Sequence, residues 1–245
     1  IEKNYGLDFA KQIWDVSLKA VNLIDQRIED FNIECDKKNG GIHAATSTSK
    51  MKEYEEDRIY KIKNYGYDKL EVLDKEKVKK EIGSPLYYGG ILDYGAGHLH
   101  PLKYAIGLMD SAQSLGVRLY ENSTVERINE DKDNVEVLLT AGKVNAKSMA
   151  ICCNAYLEGF NMRFENRVMP CETYIVCTEN LNSSLQEQVL PNNYCVTDTN
   201  FDLNYYRLSA SKRMIFGGAV GYSLKNVDGL KKRTKRQLDR VFPQL

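Results

Sequence analysis

The stretch Leu86-Tyr87-Tyr88-Gly89-Gly90-Ile91-Leu92-Asp93-Tyr94-Gly95-Ala96-Gly97-His98-Leu99-His100-Pro101 decides the fold. Leu86 to Tyr94 is rich in aliphatic and aromatic side chains and reads as a strand. Gly95-Ala96-Gly97 reads as a turn. Pro101 then opens a helix to Leu115, because proline suits a first helical turn whose N–H has no intrahelical partner. Gly116 stops that helix, and Val117 to Tyr120 reads as the next strand. A strand, turn, helix and strand in this order predict an α/β chain, and the helix is expected to pack on strands 117–120 and 147–153.

Gly95-Ala96-Gly97-His98-Leu99-His100 nearly repeats G-x-G-x-x-G between a strand and a helix, with Glu121 about where an acid meets a ribose. On that reading Gly97 lets a phosphate approach the backbone. His100, however, stands where a glycine normally lets helix and strand pack closely. The plainer reading, a tight βα turn, is preferred from spacing alone, and a self-contained nucleotide-binding module stays open as an alternative. His98 and His100 form an H-x-H pair near Asp93, but a metal site needs three or four converging ligands, so no metal is expected. His98 at a helix entrance suits a polar cleft.

Outward from this stretch, apolar residues at Phe9, Ile13, Val16, Ala20, Leu23, Ile24 and Ile28 have helical spacing over 8–31. Ile33 to Cys35, the turn Asn39-Gly40-Gly41, and Ile42 to Ala45 predict a hairpin. Residues 49–65 read as a polar helix and Leu70 to Leu73 as a strand. Asp74 caps a lysine-rich helix ending near Gly83. Strands are expected at 123–129, 134–139 and 147–153. Beyond Asn154 the pattern turns antiparallel, with 168–178, 194–199 and a hairpin over 205–218 that turns at Ser209 to Lys212. A basic helix covers 227–242. The whole is therefore mixed, with α/β and α+β patterns alternating along one chain.

Composition narrows the function. With 245 residues the chain can bury a core without staples. Lys plus Arg (34) balances Asp plus Glu (34), which argues against nucleic-acid or membrane-surface binding. No apolar run approaches the length of a membrane span. The six cysteines include no C-x-x-C pair and read as reduced thiols of a cytoplasmic protein. Sixteen tyrosines are mostly half-buried packing residues. Tyr206-Arg207 stands out, because an arginine in an apolar, aromatic strand calls for an anion.

Gly97-His98-Leu99-His100-Pro101-Leu102-Lys103-Tyr104-Ala105 carries a resemblance that runs over nearly the whole chain. Tyr120-Glu121-Asn122-Ser123, Cys153-Asn154-Ala155-Tyr156-Leu157, Thr173-Tyr174-Ile175-Val176, Tyr206-Arg207-Leu208-Ser209 and Phe216-Gly217-Gly218 follow in the same order. In these blocks the chain resembles the FAD-dependent oxidases of the D-amino-acid oxidase superfamily. The most similar branch acts on glutamylated diamines such as gamma-glutamylputrescine, an amine of putrescine catabolism.

The resemblance implies part of a Rossmann-like FAD domain joined to an antiparallel-sheet substrate domain. Residues 1–31 would be a helix of the FAD domain and 95–158 its βαβ part, while 32–94 and 159–245 would build the substrate domain. It implies FAD as cofactor, with backbone near Val125 by the adenine and Asn154-Ala155 by the pyrophosphate. It implies oxidation of a carbon–nitrogen bond of a small amine. There Arg207 would fork onto a substrate carboxylate, Tyr206 would stand beside it, and His98 would be the candidate base. Family members are longer and carry their G-x-G-x-x-G at a strand and helix that this chain does not show. The chain is therefore expected to be the middle of such an enzyme. On its own it is expected to be inactive, to bind FAD weakly if at all, and to self-associate.

Overall fold

A computed structural model of the chain describes residues 1–154, 156, 167–169, 171–221 and 227–245. It divides into two compact units, Ile1–Ser111 with Thr173–Leu245, and Ala112–Glu172. The fold is mixed α/β, a large mixed sheet in the first unit and a small antiparallel one in the second.

The first unit opens with α1 (Glu2–Tyr5) and the long α2 (Leu7–Asp30). Next come β1 (Lys38–Ala45), α3 (Ser49–Tyr65), β2 (Leu70–Leu73) and α4 (Lys75–Glu81). Then β3 (Gly89–His98) leads to α5 (Pro101–Ser114). After β4 (Val125–Glu130), β5 (Val135–Leu139) and β6 (Gly142–Ala146) of the second unit, the chain returns through β7 (Glu172–Asn180). It ends with α6 (Ser183–Val189), β8 (Cys195–Asp198), β9 (Tyr205–Leu208), β10 (Arg213–Gly221) and α7 (Val227–Val241).

Local chemistry sets several boundaries. The Asp74 carboxylate accepts the Lys77 N–H at 2.8 Å and starts α4 as expected. Gly66 ends α3 in the left-handed region, its N–H on the Ile62 carbonyl and that of Tyr67 on Lys61.

The large sheet runs β2-β3-β1-β8-β9-β10-β7. β1 and β8 are parallel, and the pairs β2–β3, β3–β1, β8–β9 and β9–β10 are antiparallel. One face forms the main core. Ile42, Leu92, Val196, Tyr206 and Phe216 meet Val78 and Ile82 next to and on α4, Val189 of α6, and Val241 and Phe242 at the end of α7. Tyr206 stacks on Phe216 at 5.4 Å and meets Phe242 edge-on at 5.1 Å. On the other face α2 and α3 cover β2 and β3 through Trp14, Leu18 and Tyr54, packed on Tyr67, Leu70 and Ile91.

Three expectations are corrected. The hairpin at 33–45 is absent, because Asn39-Gly40-Gly41 lies inside β1 at a bulge against β3. Gly40 has φ +95°, and the Tyr194 ring occupies the place of a Cβ there. Gly95-Ala96-Gly97 is likewise no turn but the end of β3: a Cβ on Gly95 would overlap the Tyr67 hydroxyl, and one on Gly97 the Lys38 carbonyl. Residues 117–120 and 147–153 are not strands, so α5 has no such strands to pack on. Among the described residues nothing offers these two stretches a ladder of backbone partners, and β propensity alone does not make a strand.

In the second unit β4-β5-β6 form an antiparallel meander with a bulge between Val125 and Arg127. Val137 is its buried centre. All six cysteines are unpaired.

Candidate functional site

Alternation along β9 sends Tyr206 and Leu208 into the core and leaves Tyr205 and Arg207 on the opposite face. Arg207 is half-buried there. One of its nitrogens donates to the Leu99 carbonyl at 3.2 Å and another to the Leu208 carbonyl at 3.4 Å. Among the described residues no carboxylate lies within ion-pair distance of it. Burial pulls its pKa below the ordinary guanidinium value, opposed by the neighbouring Cys195 and Asp36.

His98 closes β3. Its Nε2 lies 2.9 Å from the Asn193 carbonyl, which can only accept, so Nε2 carries the hydrogen and Nδ1 the free lone pair. That Nδ1 is buried without a partner. Burial, then the charges of Arg207 and Lys38, hold the ring below its usual pKa, and the bond to Asn193 opposes them. Asn193 also fixes β9: its side chain accepts the Leu208 N–H at 2.8 Å and donates to the Leu208 carbonyl at 3.2 Å. Asn193 thus links His98 to Leu208, the residue after Arg207, while Arg207 itself is not among the residues lining the cavity beside His98.

His98 lines a cavity of about 400 Å³ whose apolar wall includes Val21 and Ile24 of α2, Ala96 of β3, Leu99 and Tyr104. The Lys37–Asp25 ion pair borders it. Gly97 lines it too, although its lack of a side chain serves the approach of Lys38. His100 does not join His98. Its N–H goes to the Cys35 carbonyl and its Nδ1 accepts the Lys103 N–H at 3.3 Å, capping α5. Asp36 pairs with Lys103, which lowers the carboxyl's pKa. Among the described residues no three His, Cys, Asp or Glu side chains gather around a metal-sized gap.

Tyr206 is 3% exposed, and its hydroxyl donates to that of Tyr87 at 3.0 Å in the core, so it does not stand beside the Arg207 guanidinium. Val125 is exposed at the start of β4, and Asn154 is an exposed turn residue with φ +53°. Both belong to the second unit. Ala155 lies outside the described residues.

Three residues on the Arg207 face escape a reading by type. The Tyr205 ring lies across Gly217, where any Cβ would overlap it. His43 Nδ1 is 2.8 Å from the Thr197 hydroxyl on the neighbouring parallel strand. The Cys195 thiol reaches the Gly40 and Gly97 carbonyls at 3.6 and 3.7 Å, and burial raises its pKa while Arg207 opposes. Counting in twos from Arg207 finds Tyr205, the antiparallel β8–β9 register finds Cys195, and the parallel β1–β8 register finds His43.

A family model described as FAD dependent oxidoreductase (DAO) matches residues 3–245. The chain is 36% identical over 246 residues to gamma-glutamylputrescine oxidoreductase of Escherichia coli (strain K12), covering 100% of itself and 57% of that protein. It is 35% identical over 247 residues to the probable oxidoreductase OrdL of Haemophilus influenzae, covering 99% of itself and 56% of that protein. The chain thus spans little more than half the length of these relatives. Among solved structures, L-proline dehydrogenase from P. horikoshii superposes with TM-score 0.72 at 14% identity, over 92% of this chain and 61% of that one. Glycine oxidase from Geobacillus kaustophilus gives 0.70 at 17% identity, over 93% and 61%. At such identities these two likenesses speak for the fold alone.

Proposed function

The chain belongs to the FAD dependent oxidoreductase family, and from that premise we propose that it supplies the amine-holding portion of a flavin-dependent amine oxidoreductase. Its substrate on this reading is a carboxylated amine, gamma-glutamylputrescine being the case suggested by the Escherichia coli relative's name. The observation that carries the reading is the half-buried Arg207 guanidinium with no carboxylate of its own. A desolvated arginine so placed favours an incoming anion, and a carboxylate takes it in a forked, two-bond geometry.

Full-length members of the family use FAD. Among the described residues none forms a cradle for its diphosphate. Gly95 and Gly97 are occupied in packing β3, and the first turn of α5 already has His100 as its cap and the Asp36–Lys103 pair beside it. This chain's own residues bind and orient: Arg207 holds the carboxylate, and the apolar cavity wall receives the hydrocarbon. His98 Nδ1, kept unprotonated by burial, accepts a proton from the substrate ammonium, as an amine must be neutral before its carbon is oxidised. Val125 and Asn154-Ala155 remain proposed cofactor contacts of the second unit. The division into an FAD domain (1–31 and 95–158) and a substrate domain (32–94 and 159–245) is proposed on the same resemblance.

Calorimetry tests the reading. Gamma-glutamylputrescine should bind the purified chain, and the R207K variant should bind it about tenfold more weakly, the loss of one charge-assisted bond. Putrescine, which lacks the carboxylate, should not distinguish the two proteins. Equal weakening of both ligands overturns the assignment of Arg207.

A further inference from the structure

A second cavity, of about 380 Å³, opens beside Thr46 at the far end of β1 from the His98 site. Asn39 lines the first cavity and Thr46 the second, so the two are separated by roughly 20 Å of strand at about 3.3 Å per residue. We propose that this second cavity is a binding site for a small molecule bearing a phosphate group, held between Lys75 and Arg240.

Lys75 at the start of α4 and Arg240 near the end of α7 both line the cavity. Neither makes an ion pair among the described residues, whereas Lys77 of α4 pairs with Glu71 and Lys235 of α7 with Asp239. The Lys75 ammonium sits 5.7 Å from the centre of the Tyr88 ring, a soft partner that leaves its three donors free.

The remaining polar wall is already tied up. The Thr46 hydroxyl lies 2.9 Å from that of Thr199. Asn200 turns its amide inward to Asp198, donating at 2.7 Å from its side chain and 3.1 Å from its backbone. The buried Asp198 carboxylate also accepts the Asn204 N–H at 3.0 Å, and its side-chain amide at 2.6 Å. Both Asp198 oxygens are thus engaged by amide hydrogens, and the Tyr87 hydroxyl lies 3.5 Å from one of them. The cavity therefore presents two cations that have no ion-pair partner among the described residues. A phosphate dianion places both compensating charges on one group, with oxygens enough for a forked arginine and an ammonium. The volume exceeds what phosphate alone fills, which leaves room for an organic part against Tyr88 and Leu86.

Calorimetric titration of the whole chain at fixed ionic strength, with inorganic phosphate and with phenyl phosphate, tests this. Saturable binding of either supports the site, and tighter binding of phenyl phosphate identifies an ester over the free ion as the fitting ligand. K75Q and R240Q, both at exposed positions, should each weaken binding about tenfold, while K79Q on α4 outside the cavity should not. No saturation below about 10 mM, or equal weakening by K79Q, overturns the proposal. Because the readout needs neither flavin nor amine, it stands or falls apart from the reading of Arg207.

Discussion

Arg207 donates to the backbone carbonyl of Leu99 at 3.2 Å, across 108 positions of sequence. This bond ties the second return of the chain to the exact junction of β3 and α5, where His98 lies. It is a neutral acceptor, so it positions the guanidinium without cancelling its charge. The proposed role of the site follows from that combination of fixed place and unspent charge.

Tyr205 and Tyr206 should separate cleanly. Y206F removes the hydroxyl bond to Tyr87 in the core and should destabilise the chain by about 1 kcal/mol without changing amine affinity. Y205F should leave stability nearly unchanged. Urea unfolding measures the first effect and calorimetry with gamma-glutamylputrescine the second. A change in amine affinity for Y206F would return Tyr206 to the site.

The stacked core predicts a larger effect at Phe216. It is fully buried between Tyr206 and the helices, so F216A should lower unfolding free energy by about 3–5 kcal/mol. Urea midpoints with an unchanged slope would show the loss as stability alone.

Acid should weaken the fold through its histidines before its carboxylates. Burial lowers the folded pKa of both His43 and His98 from the usual 6.5, so the unfolded chain binds more protons just below that value. Stability is then full above about pH 6.5 and falls as pH drops toward the folded values. Asp36 and Glu136, with lowered pKa, lose their contribution only as pH falls from the ordinary carboxylate range through their lower folded values. H98Q should flatten the decline between about pH 6.5 and 5, read from thermal midpoints. An unaltered slope in H98Q would mean the ring is not held neutral by its surroundings.

FAD should bind the isolated chain weakly. The described residues lack a diphosphate cradle, and hydrogen bonds to a charged group contribute roughly 1.5–3 kcal/mol each. Absence of two or three weakens affinity by about two to six decades. Fluorescence titration should show no submicromolar site. The exposed Phe9, Ile13 and Val16 of α2 further predict self-association, visible by light scattering and reduced by I13E.

Much of this architecture was legible in local chemistry. The period of Phe9, Ile13 and Val16 gave α2, Asp74 gave the start of α4, and Pro101 gave that of α5. Glycines misled, because a sequence displays the missing side chain but not what takes its place. Gly40 makes way for Tyr194 and Gly95 for Tyr67, partners 154 and 28 positions away by residue number. Residues 117–120 and 147–153 have strand-like composition, but pairing is a property of neighbours. In the site, His98 and Arg207 were visible by type. Their connection through Asn193 was not, since it depends on a left-handed residue with φ +49° that no motif marks.

The most direct test is a crystal structure of the chain with gamma-glutamylputrescine. The account predicts the ligand carboxylate forked onto Arg207, its carbon chain along Val21, Ile24 and Leu99, and an amine nitrogen within hydrogen-bond reach of His98 Nδ1. Density for the ligand away from Arg207, with the guanidinium still bonded only to Leu99 and Leu208, would contradict it.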